Sequence, residues 1–175
     1  MPRSKPFSPN ATEQEVIEQL GHMTFATREQ IHYWVTVKSL TSVVNALDTL
    51  QSHNIVEVLD YHPKAYRLSR RGCVLAGVSH SSNHFSFSAI SNRCHANSAE
   101  IILTDKLRQS EGNQRAMRKI KAGKLLSAGF RPSHGEYVFN DDSGRFPVLV
   151  LIDDYLMRPK RLRHSWERPH KADMR

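Results

Sequence analysis

Apolar residues recur every three or four positions in three successive segments near the N-terminus, which is the spacing of amphipathic helices. The first predicted helix opens at a capping box, Thr12–Glu15, and ends near Gly21. The second opens at a similar box, Thr27–Gln30, and the third follows Ser39. The pattern therefore predicts three short helices in the first third of the chain.

The third helix separates into an apolar side and a polar, uncharged side. At about 100° per residue, the apolar side carries Leu40, Val43, Val44, Leu47 and Leu50. The polar side carries Ser42, Asn45 and Thr49, with Thr41 and Ser52 on its flank. Hydroxyl and amide groups of this kind can hydrogen-bond to base edges in the major groove of DNA. The same pattern is also typical of an ordinary solvent-facing surface.

A strand pattern follows the third helix. Ile55–Tyr61 has strand composition, His62–Lys64 predicts a turn, and Ala65–Leu68 predicts the partner strand. Ser69 is then placed to cap a fourth helix, which Gly77 can end. The predicted order is three helices, a hairpin and a further helix.

In this order of elements, residues 12–77 resemble a winged helix-turn-helix domain, the fold of MarR-like and related regulators. Two stretches carry the resemblance, "HNIV" after the third helix and "YRLSRRG" from Tyr66 to Gly72. Asn54 stands where these domains usually have glycine, and asparagine also adopts left-handed backbone conformations. Ser69 replaces the usual threonine and keeps its capping chemistry.

The resemblance implies that the third helix contacts bases and that the hairpin, or wing, and nearby cations contact phosphates. The candidate DNA-binding residues of the N-terminal region are Arg28, Lys38, Thr41, Ser42, Asn45, Thr49, His62, Lys64, Arg67, Arg70 and Arg71. Lys64, Arg67, Arg70 and Arg71 are expected where the wing approaches the sugar-phosphate backbone. The basic C-terminal segment adds Arg158, Lys160, Arg161 and Arg163.

Composition favours a polyanionic partner. The formal net charge is +8 and the sequence pI is about 9.8, which suits nucleic acid because phosphate contacts release counterions. Seven Lys and Arg residues against two acidic residues in Arg158–Arg175 predict a mobile basic tail. A basic protein with a merely solvated surface remains the alternative. No apolar run approaches the length of a membrane span, and two cysteines predict a reduced, cytoplasmic protein.

The serine-rich segment "SHSSNHFSFSAIS" predicts a linker, or a weak strand in which Phe85 and Phe87 alternate with serines. His80 and His84 have a possible metal-ligand spacing, but the segment is not predicted to be helical and offers no third ligand. Cys94 is expected to be a buried thiol rather than part of a metal site with His95.

A second module is predicted from residue 95. Residues 97–109 and 113–129 predict two helices, and "EYVF" and "FPVLVLIDDYL" predict the strands of a hairpin. In "CHANSAEIIL" and "VLVLIDDYL" this half is similar to plasmid replication-relaxation proteins, which join a winged helix to a degenerate nuclease-like module. Ser133 and Ile152 stand where that family has acidic residues. These departures count against metal-dependent cleavage, which needs acidic ligands. Glu136 with Asp153 or Asp154 could supply carboxylates, so a metal-dependent nuclease remains the alternative, although Asp153 and Asp154 are strand neighbours that point to opposite faces.

The sequence predicts an α+β protein in which an N-terminal winged helix-turn-helix precedes a small α/β module, two helices and a β-hairpin, and a basic tail. The predicted segments are a flexible arm at 1–10, the DNA-binding domain at 11–78, a Ser-rich linker at 79–94, the module at 95–157 and the tail at 158–175.

The expected function is sequence-specific binding of double-stranded DNA by a noncatalytic, cofactor-free homodimer of a mobile element. It would act as a transcriptional regulator or as an auxiliary factor at a transfer or replication origin. The C-terminal module would dimerise or recruit a relaxase, a replication protein or RNA polymerase. Because winged helices also serve as interaction modules, a protein–protein adaptor is a further alternative.

Overall fold

A computed structural model gives the structure of residues 7–36, 39–80, 85–111, 115–131, 136–141 and 148–151. These residues form six α-helices and two three-stranded antiparallel sheets. The α+β class predicted from the sequence is confirmed. The chain divides into two compact units, residues 1–97 and 98–175.

The N-terminal unit follows the predicted order of helices and hairpin strands, with one additional short strand. Its elements are α1 Ala11–Met23, β1 Ala26–Thr27, α2 Arg28–Trp34, α3 Leu40–Ser52, β2 Val56–Leu59, β3 Ala65–Leu68, α4 Arg70–Ala76 and the first part of α5, Phe87–Glu111. The strands form an antiparallel sheet in the order β1-β3-β2. Strand β1 is too short to leave a periodic sequence signal.

Local side-chain caps determine where the first two helices begin. The predicted box at Thr27 is confirmed, since Gln30 N donates to Thr27 Oγ1 and Thr27 N donates to Gln30 Oε1. The predicted box at Thr12–Glu15 is wrong. Asn10 caps α1 instead, accepting from Glu13 N at 2.9 Å while Glu13 Oε2 accepts from Asn10 N at 2.9 Å.

The main core of the N-terminal unit lies between the helices and one face of the hairpin. Its fully buried side chains include Val16, Ile17, Leu20, Ile31, Val43, Leu47, Leu50 and Val56. The predicted apolar side of α3 is confirmed at Val43, Leu47 and Leu50, whereas Leu40 and Val44 are partly exposed. Helix α1 continues past Gly21 to Met23, and a Cβ at Gly21 would lie 3.2 Å from Ala76 Cβ in α4.

The start of α5 covers the other face of the hairpin, so the Ser-rich segment is not a linker throughout. From Phe87 onward residues of the predicted linker 79–94 are helical, and Ile90 and Cys94 are buried against Phe25 and Ala65. Gln30 Nε2 also donates to Cys94 O at 2.7 Å. The sequence does not predict this helix because the segment is rich in serine and only a few of its side chains are apolar.

The C-terminal unit contains the rest of α5 and a second sheet. Its further elements are β4 Met117–Lys119, α6 Ala122–Ser127, β5 Glu136–Asp141 and β6 Val148–Leu151, in the sheet order β4-β5-β6. The predicted hairpin is confirmed as β5–β6, with Glu136 opposite Leu151. The single helix predicted over 113–129 is wrong, because Met117–Lys119 pairs with β5 as a strand.

Two side chains of α5 satisfy the outer edge of β4. Thr104 Oγ1 accepts from Met117 N at 3.0 Å, and Glu100 Oε2 accepts from Lys119 N at 3.1 Å. One helical turn of about 6 Å between Glu100 and Thr104 matches the roughly 6.6 Å between alternate strand residues. Helix α5 thus supplies the hydrogen bonds that a neighbouring strand would otherwise provide.

Candidate nucleic-acid interface

Helix α3 keeps its polar side uncovered. Thr41, Asn45 and Ser52 are exposed, and Ser42 and Thr49 are partly exposed. Within the described part of the chain the Asn45 amide makes no side-chain hydrogen bond, so its donor and acceptor face solvent. The hydroxyls of Thr49 and Ser52 instead donate to α3 carbonyls, at 3.0 and 2.7 Å.

The polar side of α3 carries a charged residue, whereas the sequence interpretation treats this side as uncharged. Asp48 is exposed and lies three residues after Asn45, so the two share one side of the helix. Burial raises the pKa of Tyr66 in the hairpin, and the negative charge of Asp48 raises it further. Lys38, predicted to contact DNA just before this helix, lies outside the described residues.

The turn between β2 and β3 lies at the end of the hairpin opposite to α3 and α4. His62 and Lys64 are exposed there, as expected of residues that contact a large partner, and the His62–Pro63 peptide bond is cis. Asp60 is exposed in the same turn. With one lysine and one aspartate, the turn carries no net charge when His62 is neutral.

Arg67 forms a salt bridge within its own unit. It stands opposite Glu57 in the hairpin register, and both Nε and Nη2 lie 2.7 Å from Glu57 Oε2. The Arg67 guanidinium also lies 5.6 Å from the centroid of the Phe85 ring. This neutralised position argues against the predicted phosphate contact at Arg67.

Arg28 is also engaged with a carboxylate, although at the surface. Its Nε lies 2.7 Å from Glu29 Oε1, and both side chains are about half exposed. The hydrogen bond and the charge of Glu29 raise the pKa of Arg28 above its ordinary value. Because the pair is solvated, a phosphate can replace Glu29 at small cost.

Arg70 and Arg71 occupy the first two positions of α4, and both are exposed. Arg71 Nη1 donates to His53 O at 3.3 Å, at the C-terminal end of α3. Among the described residues neither arginine forms an ion pair with a carboxylate. Two cations at a helix N-terminus oppose the helix dipole, so their placement does not serve the stability of α4.

The structure does not bring the four wing cations together. Lys64 lies in the turn, whereas Arg70 and Arg71 lie at the base of the hairpin, beyond strands of four residues that span roughly 10 Å. Arg67 lies between them and is paired. The predicted cluster therefore separates into a cation at the turn and two cations beside α3.

The joint at "YRLSRRG" is built around Ser69 and Gly72. Ser69 Oγ donates to Asn54 O at 2.6 Å and accepts from Gly72 N at 3.1 Å. Asn54 has φ of 55°, which confirms the left-handed conformation predicted there. These bonds attach the start of α4 to the turn after α3.

Little of the protein's positive charge belongs to the predicted DNA-binding domain. Residues 11–78 contain six Lys and Arg against seven Asp and Glu, a formal charge of −1, whereas residues 158–175 carry +5. The predicted contacts Arg158, Lys160, Arg161 and Arg163 lie outside the described residues. General attraction to a polyanion must therefore come chiefly from the ends of the chain.

The described residues contain no group of three or more His, Cys, Asp or Glu able to hold a metal ion. Of the nuclease candidates, Glu136 is the first residue of β5, while Asp153 and Asp154 lie outside the described residues, as does His84. Cys73 and Cys94 are buried thiols, as predicted for Cys94. No described helix combines the length and apolarity that crossing a membrane requires.

Sequence reasoning missed an aromatic contact at the hairpin turn. The ring centroids of Tyr61 and Phe87 lie 5.1 Å apart, and Phe87 is the first residue of α5. Phe85, two residues earlier, contacts Phe25 edge-on at 4.6 Å. The alternation of Phe85 and Phe87 with serines was the only signal, and it does not identify their partners.

Comparison of the chain with protein-family models, curated proteins and solved structures finds no match.

Proposed function

We propose that the N-terminal unit is a winged helix-turn-helix domain that binds double-stranded DNA through α3. The observation that carries the proposal is the two-sidedness of α3, which buries Val43, Leu47 and Leu50 and leaves Thr41 and Asn45 exposed. The element order and the β1-β3-β2 sheet also support it. A helix anchored in this way can enter a major groove without disturbing the core.

Within this proposal the N-terminal half of α3 contacts bases. Thr41, Ser42 and Asn45 offer hydroxyl and amide groups, and an asparagine can bond adenine through two hydrogen bonds. Asp48 repels phosphates, which favours a position over base edges, where a carboxylate can accept from a cytosine amino group. Exposed Arg70 and Arg71 contact phosphates beside the C-terminal end of α3.

The nearly neutral domain depends on other segments for general affinity. The basic tail and the N-terminal arm supply phosphate contacts, and two copies of the domain bind together as a homodimer. In the cytoplasm such a protein would act as a noncatalytic regulator or origin-binding factor of a plasmid or integrative element. Its protein partner would be a relaxase, a replication protein or RNA polymerase.

The test compares Asn45→Ala with Arg71→Ala on a site selected by the purified full-length protein from random duplexes. Loss of the Asn45 amide should cost roughly 1–3 kcal/mol on the selected site and little on unrelated duplexes. Loss of Arg71 should weaken binding to all sequences alike and reduce the salt slope by about 1. Equal effects of both changes on every duplex would contradict base contacts by α3.

An adaptor function is favoured by one specific observation. Val74 and Leu75 in α4 are 76% and 42% exposed beside Arg70 and Arg71, a surface that a protein can cover. Salt separates the two functions, because binding through several phosphates weakens steeply as salt rises. The nuclease alternative has no comparable support, because Asp153 and Asp154 lie outside the described residues.

A further inference from the structure

Positive charge is concentrated in the segment that contains β4 and α6. Residues 115–131 include six Lys and Arg residues and no Asp or Glu. Two of the six serve the C-terminal unit itself. Arg115 Nη1 lies 3.5 Å from Asp141 Oδ2. Arg118 Nη1 lies 3.1 Å from Glu100 Oε1, and both carboxylates are buried, so these two arginines compensate buried negative charge.

Three other cations of this segment face solvent. Lys121, Lys124 and Arg131 are exposed, whereas Lys119 is buried in β4. Within the part of the chain that the structure describes, none of the three exposed cations forms an ion pair or a side-chain hydrogen bond. Because the segment contains no acidic residue, no neighbour in the sequence neutralises them. These three residues are called the α6 cluster.

The α6 cluster belongs to one short helix and the turn that ends it. Lys121 is the N-cap of α6 and Lys124 lies three residues later, so their Cβ atoms are about 5–6 Å apart. After the helix, Phe130 N donates to Leu125 O at 2.9 Å, which turns the chain back. Arg131 follows directly, one residue beyond this bond. Buried Leu125 anchors the helix, so the cations are presented from a fixed backbone.

The α6 cluster does not serve the stability of the helix that carries it. Lys121 makes no side-chain hydrogen bond as the N-cap, and its charge opposes the helix dipole. Lys121 and Lys124 also repel each other at their spacing. Cations that are placed at a cost to local stability, and that lack an acidic neighbour, indicate a contact with an anionic partner.

We propose that the α6 cluster is a second contact surface for DNA, which binds phosphates of the duplex whose bases α3 contacts. The inference rests on the proposed function for its ligand, and it adds the C-terminal unit to the binding surface. Phosphates carry no sequence information, so the cluster raises affinity for every duplex without changing which site is preferred. Each contact also releases counterions, so the cluster steepens the dependence of affinity on salt.

The experiment titrates the full-length protein with the selected duplex and with an unrelated duplex at several salt concentrations. A triple variant, Lys121→Gln with Lys124→Gln and Arg131→Gln, should lower the salt slope by about 2.7, at about 0.9 for each contact. Between about 50 and 200 mM salt, the affinity of wild type should therefore fall roughly 40-fold more than that of the triple variant. Both duplexes should be weakened by the same factor.

Two matched controls and a direct readout complete the test. Lys106→Gln removes another exposed lysine of the same unit and should leave the slope unchanged. Lys121→Arg with Lys124→Arg keeps both charges and should retain the wild-type slope. In lysine acetylation followed by mass spectrometry, bound duplex should slow the reaction of Lys121 and Lys124 but not that of Lys106.

The possible outcomes separate this inference from the proposed function. An unchanged slope in the triple variant, or acetylation of Lys121 and Lys124 that DNA does not slow, would overturn the inference. The proposed function would survive that result if Asn45→Ala still weakens the selected site alone. A lowered slope without any selected site would keep the α6 cluster as a DNA contact and refute base contacts by α3. Absence of DNA binding would refute both.

Discussion

Gly72 in α4 lies directly against the backbone carbonyl of Ile55, so that a Cβ at position 72 would overlap the Ile55 oxygen. The same carbonyl accepts from Ser69 N at 2.9 Å. The start of α4 is thus pressed onto the turn that follows α3, and the absence of a side chain at Gly72 permits the contact. This approach positions Arg70 and Arg71 beside the proposed base-contacting helix.

Replacing Gly72 by alanine should destabilise the N-terminal unit. Overlap with a backbone atom has no flexible side chain to relieve it, so we expect a loss of about 1–3 kcal/mol in the free energy of unfolding, despite the better helix propensity of alanine. Urea denaturation measures the change. Val74→Ala in the same helix removes an exposed side chain and should stay within about 0.5 kcal/mol of wild type. A more stable Gly72→Ala protein would contradict this contact.

Glu100 should support the C-terminal sheet through β4. Its Oε1 accepts from Arg118 Nη1 at 3.1 Å and its Oε2 from Lys119 N at 3.1 Å, and the side chain is fully buried. Glu100→Ala leaves the Lys119 amide without this acceptor and should cost about 2–4 kcal/mol. Hydrogen exchange at the Lys119 amide should accelerate accordingly.

The control for Glu100 lies on the same helix. Lys106→Ala removes an exposed charged side chain and should leave both the stability and the Lys119 exchange rate unchanged. Glu100→Gln keeps one acceptor oxygen and should fall between wild type and Glu100→Ala. Slow exchange at Lys119 in Glu100→Ala would show that another group satisfies the edge of β4.

The stability of the N-terminal unit should fall in alkaline solution. Burial raises the pKa of the Cys73 thiol above its ordinary value of 9.0, because burial disfavours the thiolate. Above pH 9 the unfolded chain therefore loses this proton before the folded protein does, and stability declines as pH rises toward the folded-state pKa. The contribution of the protonated Cys73 thiol to the free energy of unfolding is fully present well below pH 9.

Cys73→Ala provides the measurement. Its free energy of unfolding, followed by urea denaturation from pH 8 upward, should decline less steeply than that of wild type near pH 9. Burial also raises the pKa of Tyr66 above 10.0, so both proteins should share a second decline at higher pH. Identical slopes near pH 9 would rule out a shifted thiol.

Removal of residues 158–175 should weaken DNA binding more than any single substitution in the N-terminal unit. The segment carries seven Lys and Arg, and each phosphate contact contributes about 0.9 to the salt slope. Affinity and slope should both fall in a fluorescence titration at several salt concentrations. A full-length variant with these seven residues changed to glutamine should behave like the truncation, whereas an unchanged slope would place the phosphate contacts elsewhere.

Short-range features were predictable because the interacting groups lie close in sequence. The Thr27–Gln30 box, the left-handed Asn54 and the Gly77 helix end each depend on a few neighbouring residues. The start of α1 was misplaced because Asn10 and Thr12 both precede a glutamate by three positions, and sequence alone does not rank them. The apolar side of α3 followed from periodicity, and burial of Val43, Leu47 and Leu50 agrees with it.

Two predictions are incorrect because the segments concerned form hydrogen bonds and packing contacts with residues distant in the chain. Met117–Lys119 lies in a basic run with helical composition, yet it forms β4 because β5 and α5 satisfy its backbone. The sequence predicts a linker for Phe87–Cys94, yet this segment is helical and buries Ile90 against the hairpin. In both cases long-range burial and hydrogen bonding outweighed local preference.

By itself the sequence determined the α+β class, the order of helices and hairpin in residues 11–77, and the two-sided character of α3. Those features arise from periodicity and from caps that act over one or two turns. Only the tertiary structure decided that Gly72 meets Ile55, that Glu57 neutralises Arg67 and that Phe87 reaches Tyr61. These pairs depend on how separate elements pack, and no local pattern encodes which surfaces will meet.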